Sequence, residues 1–234
     1  MDATMAIHPD QVATITFDSF TTIVDVRSTT TRVLNEYIED SGTVSDIASL
    51  WRFRAVEYRM LSNAVDPYET YEKTTRDALE YALAAHDVNL PDEDIADIVS
   101  CFYELDVYDD VSDSFHRLDE RGYDLYIVSN GTQTLLQSMV TRADIADIVV
   151  DTISADDIQT YKPELEFYQH ALEQTGTPAE KTVHVATPWY DIYGANNAGM
   201  STVWLNRDNK PWERFEGSPG RILTSMDELV SLFE

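Results

Sequence analysis

Short apolar strands alternate with helices along the second half of the chain, from Asp113 to Phe233. Residues 123–128 and 182–186 are dominated by apolar and β-branched side chains, and each run precedes a helical pattern. This alternation favours a parallel sheet, because each helix returns the chain to the same end of the sheet. The sequence therefore predicts an α/β fold: a Rossmann-like parallel sheet core with helices on both faces.

The first strand of this core, residues 12–17, ends at Asp18, and a helical region separates it from the remaining strands. The predicted helices of that region span residues 30–39, 44–63, 68–86 and 91–105, with Asp66-Pro67 dividing the second from the third. We therefore expect a core domain formed by residues 1–26 and 108–234. Residues 27–107 are predicted to form an inserted helical cap.

The charge balance excludes one class of partner. Forty-three acidic residues oppose 16 basic ones, which gives a formal net charge of −27. A field of this sign repels phosphate backbones, so no nucleic-acid partner is expected. Two interpretations remain: an ordinary acidic enzyme, or a halophilic protein of a high-salt cytoplasm, where salt screens the self-repulsion. The second interpretation predicts loss of structure in low salt.

Three features of the sequence indicate the cellular compartment of the protein. Cys101 is the single cysteine, so no intrachain disulfide can form, as is typical of a reducing cytoplasm. No apolar run reaches the roughly 18–20 residues that span a bilayer. Residues 1–11 lack the basic start and apolar core of a signal peptide. A cytoplasmic protein without a membrane partner is expected.

Polar side chains follow several predicted strands at the point where each strand ends. These residues are Asp18, the pair Ser129-Asn130 and Asp191, with Lys162 before a helix on the same side. In parallel sheets, ligands bind outside the carboxyl ends of the strands. Each residue alone is more typical of a turn or helix cap, but together they suit catalysis by a carboxylate nucleophile. Asp18 would attack, Lys162 would neutralise charge beside it, and Asp191 would hold the lysine.

The sequence around these residues resembles the haloacid dehalogenase superfamily. The first three motifs match Phe17-Asp18-Ser19-Phe20-Thr21-Thr22-Ile23-Val24-Asp25-Val26, Ile127-Val128-Ser129-Asn130-Gly131 and Tyr161-Lys162-Pro163. The segments Leu50-Trp51-Arg52, Glu57-Tyr58, Thr75-Arg76-Asp77-Ala78-Leu79 and Val203-Trp204-Leu205-Asn206-Arg207 resemble its L-2-haloacid dehalogenase (type II) branch. The resemblance runs from about Thr14 to the C-terminus.

This resemblance implies a reaction and a set of site residues. Asp18 would displace halide from C2 of a small 2-halo acid with inversion, and water would then hydrolyse the ester. The residues implied as catalytic are Asp18, Thr22, Arg52, Ser129, Lys162 and Asp191. Those implied as substrate-binding are Phe20, Asn130, Tyr168, Thr187 and Tyr190. Arg52 and Asn130 would hold the halide between Phe20 and Tyr190, while Ser129 would take the substrate carboxylate. No metal or cofactor is implied, and a homodimer is expected from the resemblance.

Two alternatives to this function remain open. Phosphatases of the superfamily carry a general acid two residues after the nucleophile, where this chain has Phe20, and a metal-binding aspartate where it has Ala186. A magnesium-dependent phosphatase is therefore disfavoured by both positions. A catalytically impaired binding homologue is the second alternative, because the fourth motif is altered.

That fourth motif departs from the dehalogenase branch as well. Ala186 stands where the branch has serine, and Pro188 stands where it has asparagine. These polar groups orient the lysine and the hydrolytic water, so slow ester hydrolysis is predicted unless Thr187 compensates. His184 is interpreted as a satisfied core residue. Thr21 replaces a glycine of the branch, and we expect the loop to differ so that Thr21 avoids a positive φ.

Overall fold

A parallel β-sheet forms the centre of the protein. The computed structural model describes residues 7–65, 68–215 and 217–234. The strands are β1 (Thr14–Phe17), β2 (Val24–Asp25), β3 (Asp106–Val107), β4 (Asp124–Ser129), β5 (Val149–Ser154), β6 (Thr182–Ala186), β7 (Ser201–Leu205) and β8 (Arg221–Leu223). Within the described residues, the main sheet has the order β5-β4-β1-β6-β7-β8, and its neighbouring strands are all parallel.

The register of the three central strands brings their C-terminal ends together. Phe17 of β1 lies between Ile127 of β4 and Val185 of β6. The residues that follow these positions therefore emerge at one edge of the sheet. Asp18 is the first of them.

Helices cover both faces of the sheet, and further helices form a separate unit beside it. The described helices are α1 (Val26–Tyr37), α2 (Ser41–Ser62), α3 (Tyr71–Ala85), α4 (Asp92–Ser100), α5 (Val111–Glu120), α6 (Gln133–Arg142), α7 (Leu165–Thr175), α8 (Trp189–Asn197) and α9 (Met226–Leu232). Alternate residues of a strand face opposite sides. Ile127 of β4 packs in a cluster with Phe115 of α5 and Leu229 of α9, whereas Val128 packs in a second cluster with Phe167 of α7. The predicted α/β class with a parallel sheet is confirmed.

Helices α1 to α4 form a unit between β2 and β3, which we call the helical insert (residues 26–105). It has its own apolar core, which includes Leu34, Trp51 and Leu79. The buried Trp51 indole N–H donates to the carbonyl of Thr75 (2.8 Å) and ties α2 to α3. β2 and β3 pair antiparallel, so the chain leaves the sheet and returns to it through one narrow ribbon.

Several predicted boundaries shift because of local capping. α1 begins at Val26, earlier than predicted, because the Asp25 side chain accepts a hydrogen bond from the Ser28 N–H. α3 begins at Tyr71 because Thr70 caps it in the same way. The predicted break at Asp66-Pro67 lies outside the described residues.

Other differences concern whole elements. The fourth predicted helix ends at Ser100 and continues as a 3₁₀ turn, and the two extended pieces predicted at 148–153 form the single strand β5. The sequence analysis does not predict β2, β3 or β8, which are only two or three residues long. Among the described helices, none is long and apolar enough to cross a membrane.

Candidate active site

Asp18 follows β1 directly and lies at the C-terminal edge of the sheet. Its backbone N–H donates to the carbonyl of Val185 on β6 (2.9 Å), which extends the strand pairing by one residue. The Thr22 hydroxyl donates to Asp18 Oδ2 (2.8 Å), and Asp18 is only 5% exposed. The carboxylate is thus held in one orientation, which an attacking nucleophile requires.

The turn after Asp18 contains a strained residue. Thr21 has a φ of +68°, in the left-handed region that β-branched residues rarely adopt. Its N–H donates to the carbonyl of Val24 (2.9 Å) and closes the turn. The expectation that the loop avoids a positive φ at this position is therefore wrong.

Replacing Thr21 with glycine is expected to stabilise the protein by about 1 kcal/mol. Relief of the left-handed strain contributes about 1–2 kcal/mol, and the greater freedom of glycine in the unfolded chain offsets part of that gain. Thr31→Gly is the matched control, because Thr31 lies within α1 and the same change there should destabilise. Urea unfolding of the three proteins measures the difference, and a less stable Thr21→Gly protein would contradict the prediction.

Lys162 connects the two carboxylates of the site. Its Nζ donates to Asp18 Oδ1 (3.0 Å) and to Asp191 Oδ2 (2.5 Å), and its side chain is 2% exposed. The backbone N–H of Lys162 donates to Asn130 Oδ1 (2.9 Å), so Asn130 fixes the loop that carries the lysine. The arrangement gives the buried Lys162 side chain two anionic partners.

Both carboxylate oxygens of Asp191 are hydrogen-bonded within the protein, which positions Lys162. Its second oxygen, Oδ1, accepts a hydrogen bond from the Tyr168 hydroxyl (2.7 Å) and lies 2.9 Å from His184 Nε2. The other ring nitrogen of His184 lies 2.8 Å from the hydroxyl of Thr16, its neighbour on β1. His184 is predicted from the sequence to be a satisfied core residue outside the site. The signal that would place it in the site is the pairing of β1 with β6, which a single sequence does not supply.

A close approach between two helices makes the Tyr168 contact possible. A Cβ added to Gly194 of α8 would lie 2.2 Å from the Tyr168 ring on α7. Non-bonded carbon atoms do not come that close, so any larger residue would displace the ring. Gly194 therefore lets Tyr168 reach Asp191.

The buried charges alter one another's protonation. Burial raises the pKa of Asp18, an effect that Lys162 opposes and the neighbouring Asp191 charge reinforces. Burial also acts to raise the pKa of Asp191, but Lys162 and His184 outweigh it and hold that pKa well below its usual range. Although burial disfavours the charge of Lys162, its two carboxylate partners raise its pKa. Asp191 and Lys162 are therefore ionised at neutral pH.

Five predicted site residues are not among the described residues that line the cavity beside Asp18. They are Thr22 and Asp191, whose contacts are given above, and Ser129, Thr187 and Tyr168. The Ser129 hydroxyl lies 2.5 Å from that of Ser19 and accepts from the Gly131 N–H (3.0 Å). The Thr187 hydroxyl donates to the carbonyl of Leu205 (3.1 Å). Tyr168 is buried against Asp191. The side chains of Ser129, Thr187 and Tyr168 thus make structural and positioning contacts within the protein, and their predicted contacts with substrate stay predictions.

The cavity lies between the sheet edge and the helical insert and encloses about 240 Å³. Among the residues described, the core contributes Asp18, Phe20, Asn130, Lys162 and Tyr190 to its wall. The insert contributes residues of α2 and α3, which include Arg52 and Tyr71. Asp18, Phe20, Arg52, Asn130, Lys162 and Tyr190 were each predicted as site residues, and the fold brings all six to one cavity.

Arg52 presents an unused donor at this cavity. Its Nη1 is buried and has no hydrogen-bond partner within the described part of the chain. Burial and the nearby Arg27 lower the pKa of Arg52, but an arginine remains cationic at physiological pH. A buried cationic donor without a partner is suited to binding an anion.

Phe20 occupies the position at which a phosphatase would carry its general acid. Its ring stacks on Tyr71 at 4.9 Å between centroids, and it forms part of the apolar cavity wall. No group of three or more His, Cys, Asp or Glu side chains within the described ranges is arranged to hold a metal ion. Ala186 packs instead against Trp204 and Ile192.

The fold and site define a parallel α/β protein with a buried aspartate–lysine site at the end of its first strand. The family model described as haloacid dehalogenase-like hydrolase matches residues 15–205. The chain therefore belongs to the haloacid dehalogenase-like hydrolase family, as its motifs predict.

Within this family, the chain is similar to proteins named as 2-haloacid dehalogenases. An (S)-2-haloacid dehalogenase of Pseudomonas putida is 29% identical over 92% of this chain and 93% of its own length. The enzyme of the same name from Pseudomonas sp. strain YL is 28% identical over 96% of each chain. A crystal structure of an L-2-haloacid dehalogenase superposes with a TM-score of 0.89 at 26% identity, over 95% of this chain and 98% of the other. These relatives are hydrolases that act on carbon–halide bonds.

Proposed function

We propose that this protein is a metal-independent hydrolase that removes halide from short L-2-haloalkanoic acids and yields D-2-hydroxy acids. The observation that carries the proposal is the cavity in which the Asp18 carboxylate and Arg52 both lie. Thr22 and Lys162 hold the carboxylate in place, while Arg52 offers a cationic donor without a partner among the described residues. The nucleophile and a cationic group that can bind the leaving halide thus line the same cavity.

The proposed reaction has two steps. An oxygen of Asp18 attacks C2 of the substrate, the carbon–halogen bond breaks with its electron pair on the halide, and an ester forms with inversion at C2. Arg52 and Asn130 receive the halide, and Lys162 balances the charge of the substrate carboxylate. Water then attacks the Asp18 carbonyl carbon, which releases the hydroxy acid and a proton and regenerates the Asp18 carboxylate.

In this proposal, residues 27–107 act as a cap domain over a core formed by residues 1–26 and 108–234. The cap supplies Arg52 and one wall of the cavity, and it keeps bulk water from the buried charges. Formation of a homodimer stays a prediction from the resemblance. Adaptation to high salt likewise stays a prediction from the net charge of −27.

The two alternatives have less support. A phosphatase needs oxygen ligands for magnesium and a general acid, and Phe20 and Ala186 supply neither. A binding homologue would have no need for the Asp18–Lys162–Asp191 network, yet every member of that network is present and hydrogen-bonded.

Halide release from L-2-chloropropionate tests the proposal. The protein should release chloride from the L but not the D enantiomer, in high salt and with excess EDTA, because neither catalytic step uses a metal. A chloride-selective electrode gives the rate, and p-nitrophenyl phosphate with magnesium provides the comparison. Release of phosphate but no chloride, or loss of chloride release in EDTA, would contradict the proposed function.

A further inference from the structure

A second arginine lines the same cavity as Arg52. Arg52, Ala55, Val56 and Arg59 of α2 all contribute to the cavity wall. Their spacing places them on one face of the helix. Arg52 and Arg59 are two turns apart, or about 10 Å along the helix axis. The backbones of the two arginines are therefore at different levels along the cavity wall.

Arg59 is buried, and no carboxylate among the described residues pairs with it. It is 7% exposed, its Nη2 donates to the Thr75 hydroxyl (2.5 Å), and its Cζ lies 3.8 Å from the Tyr71 ring centroid. Its Nε is buried without a hydrogen-bond partner. No carboxylate in the described portion of the chain lies within 4.0 Å of it. This cation is therefore satisfied only in part by the protein.

Two other arginines of this chain, which stack on aromatic rings as Arg59 does, each have a carboxylate partner. Arg54 and Arg207 also stack on tyrosine rings, with Cζ 4.5 Å and 4.1 Å from the ring centroids. Arg54 pairs with Glu57 (2.8 Å), and Arg207 forms a bidentate pair with Asp110 (2.8 and 2.9 Å). Arg59 is more buried than either, and it is the one of these three for which the described residues provide no carboxylate. The difference is notable in a chain with 43 acidic residues.

A buried cation without a counterion is costly, by several kcal/mol in real proteins. An anion bound in the cavity would remove that cost and would gain a planar set of donors. The halide receiver, Arg52, lies two turns away, and Lys162 lies beside Asp18. Arg59 is thus available for an anionic group elsewhere on the substrate.

We propose, on the basis of the function proposed above, that Arg59 binds a second carboxylate at the far end of the substrate. The preferred substrate class is then a 2-halo dicarboxylic acid, such as L-2-chlorosuccinate. Its C1 carboxylate lies by Lys162, its halogen points to Arg52, and its distal carboxylate pairs with Arg59. A substrate with an alkyl chain leaves the Arg59 charge without a counterion.

Substrate preference tests this proposal. The ratio of kcat/KM for L-2-chlorosuccinate to that for L-2-chlorobutanoate is measured at one fixed salt concentration. The wild-type ratio should exceed about 10, and Arg59→Met should lower it at least about 10-fold, mainly through a higher KM for chlorosuccinate. Arg54→Met is the matched control, because Arg54 lies on the same helix and stacks on Tyr81 away from the cavity. It should keep the wild-type ratio.

Several results would overturn the proposal. A wild-type enzyme without preference for chlorosuccinate would do so, and so would equal losses on both substrates in Arg59→Met. Equal losses would show that Arg59 supports the fold or holds the C1 carboxylate. If the wild type releases halide from neither acid, the proposed function fails, and calorimetry with succinate and butanoate then decides about Arg59. Succinate should bind more tightly than butanoate to the Asp18→Asn protein, and a preference that survives Arg59→Met refutes the role of Arg59.

Discussion

Replacing Asp18 with asparagine should lower the rate of halide release by about 10⁴-fold or more. The amide nitrogen and oxygen are poor nucleophiles, so the ester cannot form. Asparagine is isosteric with aspartate and can still accept the hydrogen bond from Thr22, which limits any change of fold. Lys162 keeps Asp191 as its anionic partner. Chloride release from L-2-chloropropionate measures the effect.

The control for this change is Asp46→Asn, which alters an exposed aspartate of α2 far from the strand ends. It should release halide at the wild-type rate. Intact-protein mass adds a second readout, because Asp18→Asn should show no increase after incubation with substrate. Retention of more than about a tenth of the wild-type activity would remove Asp18 from the mechanism, since a missing nucleophile costs far more.

The wild-type protein should accumulate the ester on Asp18 during turnover. The cavity wall holds no histidine and no carboxylate besides Asp18 among the described lining residues, so a base for the hydrolytic water is lacking. Asp191 cannot act as this base, because both its oxygens already accept hydrogen bonds. Burial acts to raise the pKa of Asp191, but Lys162 and His184 outweigh it and hold that pKa low, so the carboxylate is a weak base. Mass spectrometry after a short incubation with L-2-chloropropionate should show most of the protein one carboxyethyl group heavier.

Pro188→Asn should shorten the life of that ester by about 10-fold, because an amide would return to the cavity wall and could orient water. Asparagine is a favoured residue at the N-cap of a helix, which is the position Pro188 occupies in α8. Pro211→Asn, an exposed change, should leave the lifetime as it is. Rapid turnover with no detectable adduct in the wild type would refute this account of ester hydrolysis.

The sequence predicted the fold and the residues on which chemistry depends because both follow from short-range patterns. Apolar runs, each followed by a helical pattern, determine the parallel sheet, and the polar residue after each strand marks the edge where ligands bind. Asp18, Lys162 and Arg52 belong to motifs that can be read in a few consecutive residues. The short strands β2, β3 and β8 carry too few residues to produce a pattern of their own.

The remaining features depend on contacts between distant parts of the chain. His184 joins the site because β1 pairs with β6, and Tyr168 positions Asp191 because Gly194 allows two helices to approach closely. The side-chain direction of Thr187 depends on its partner on β7, the carbonyl of Leu205. The isolation of Arg59 from any carboxylate of the described residues cannot be read from its neighbours in sequence. Each of these features depends on the three-dimensional fold and not on the local sequence.

The narrow β2–β3 ribbon belongs to the same insert as the two cavity arginines. Arg52 and Arg59 sit on one continuous helix, and the insert that contains this helix is joined covalently to the core through that ribbon. A tilt of the insert would draw both cations away from Asp18 in a single movement. Departure of the halide and of the organic acid would then share one barrier, and a crosslink between the insert and the sheet would slow the release of both products together.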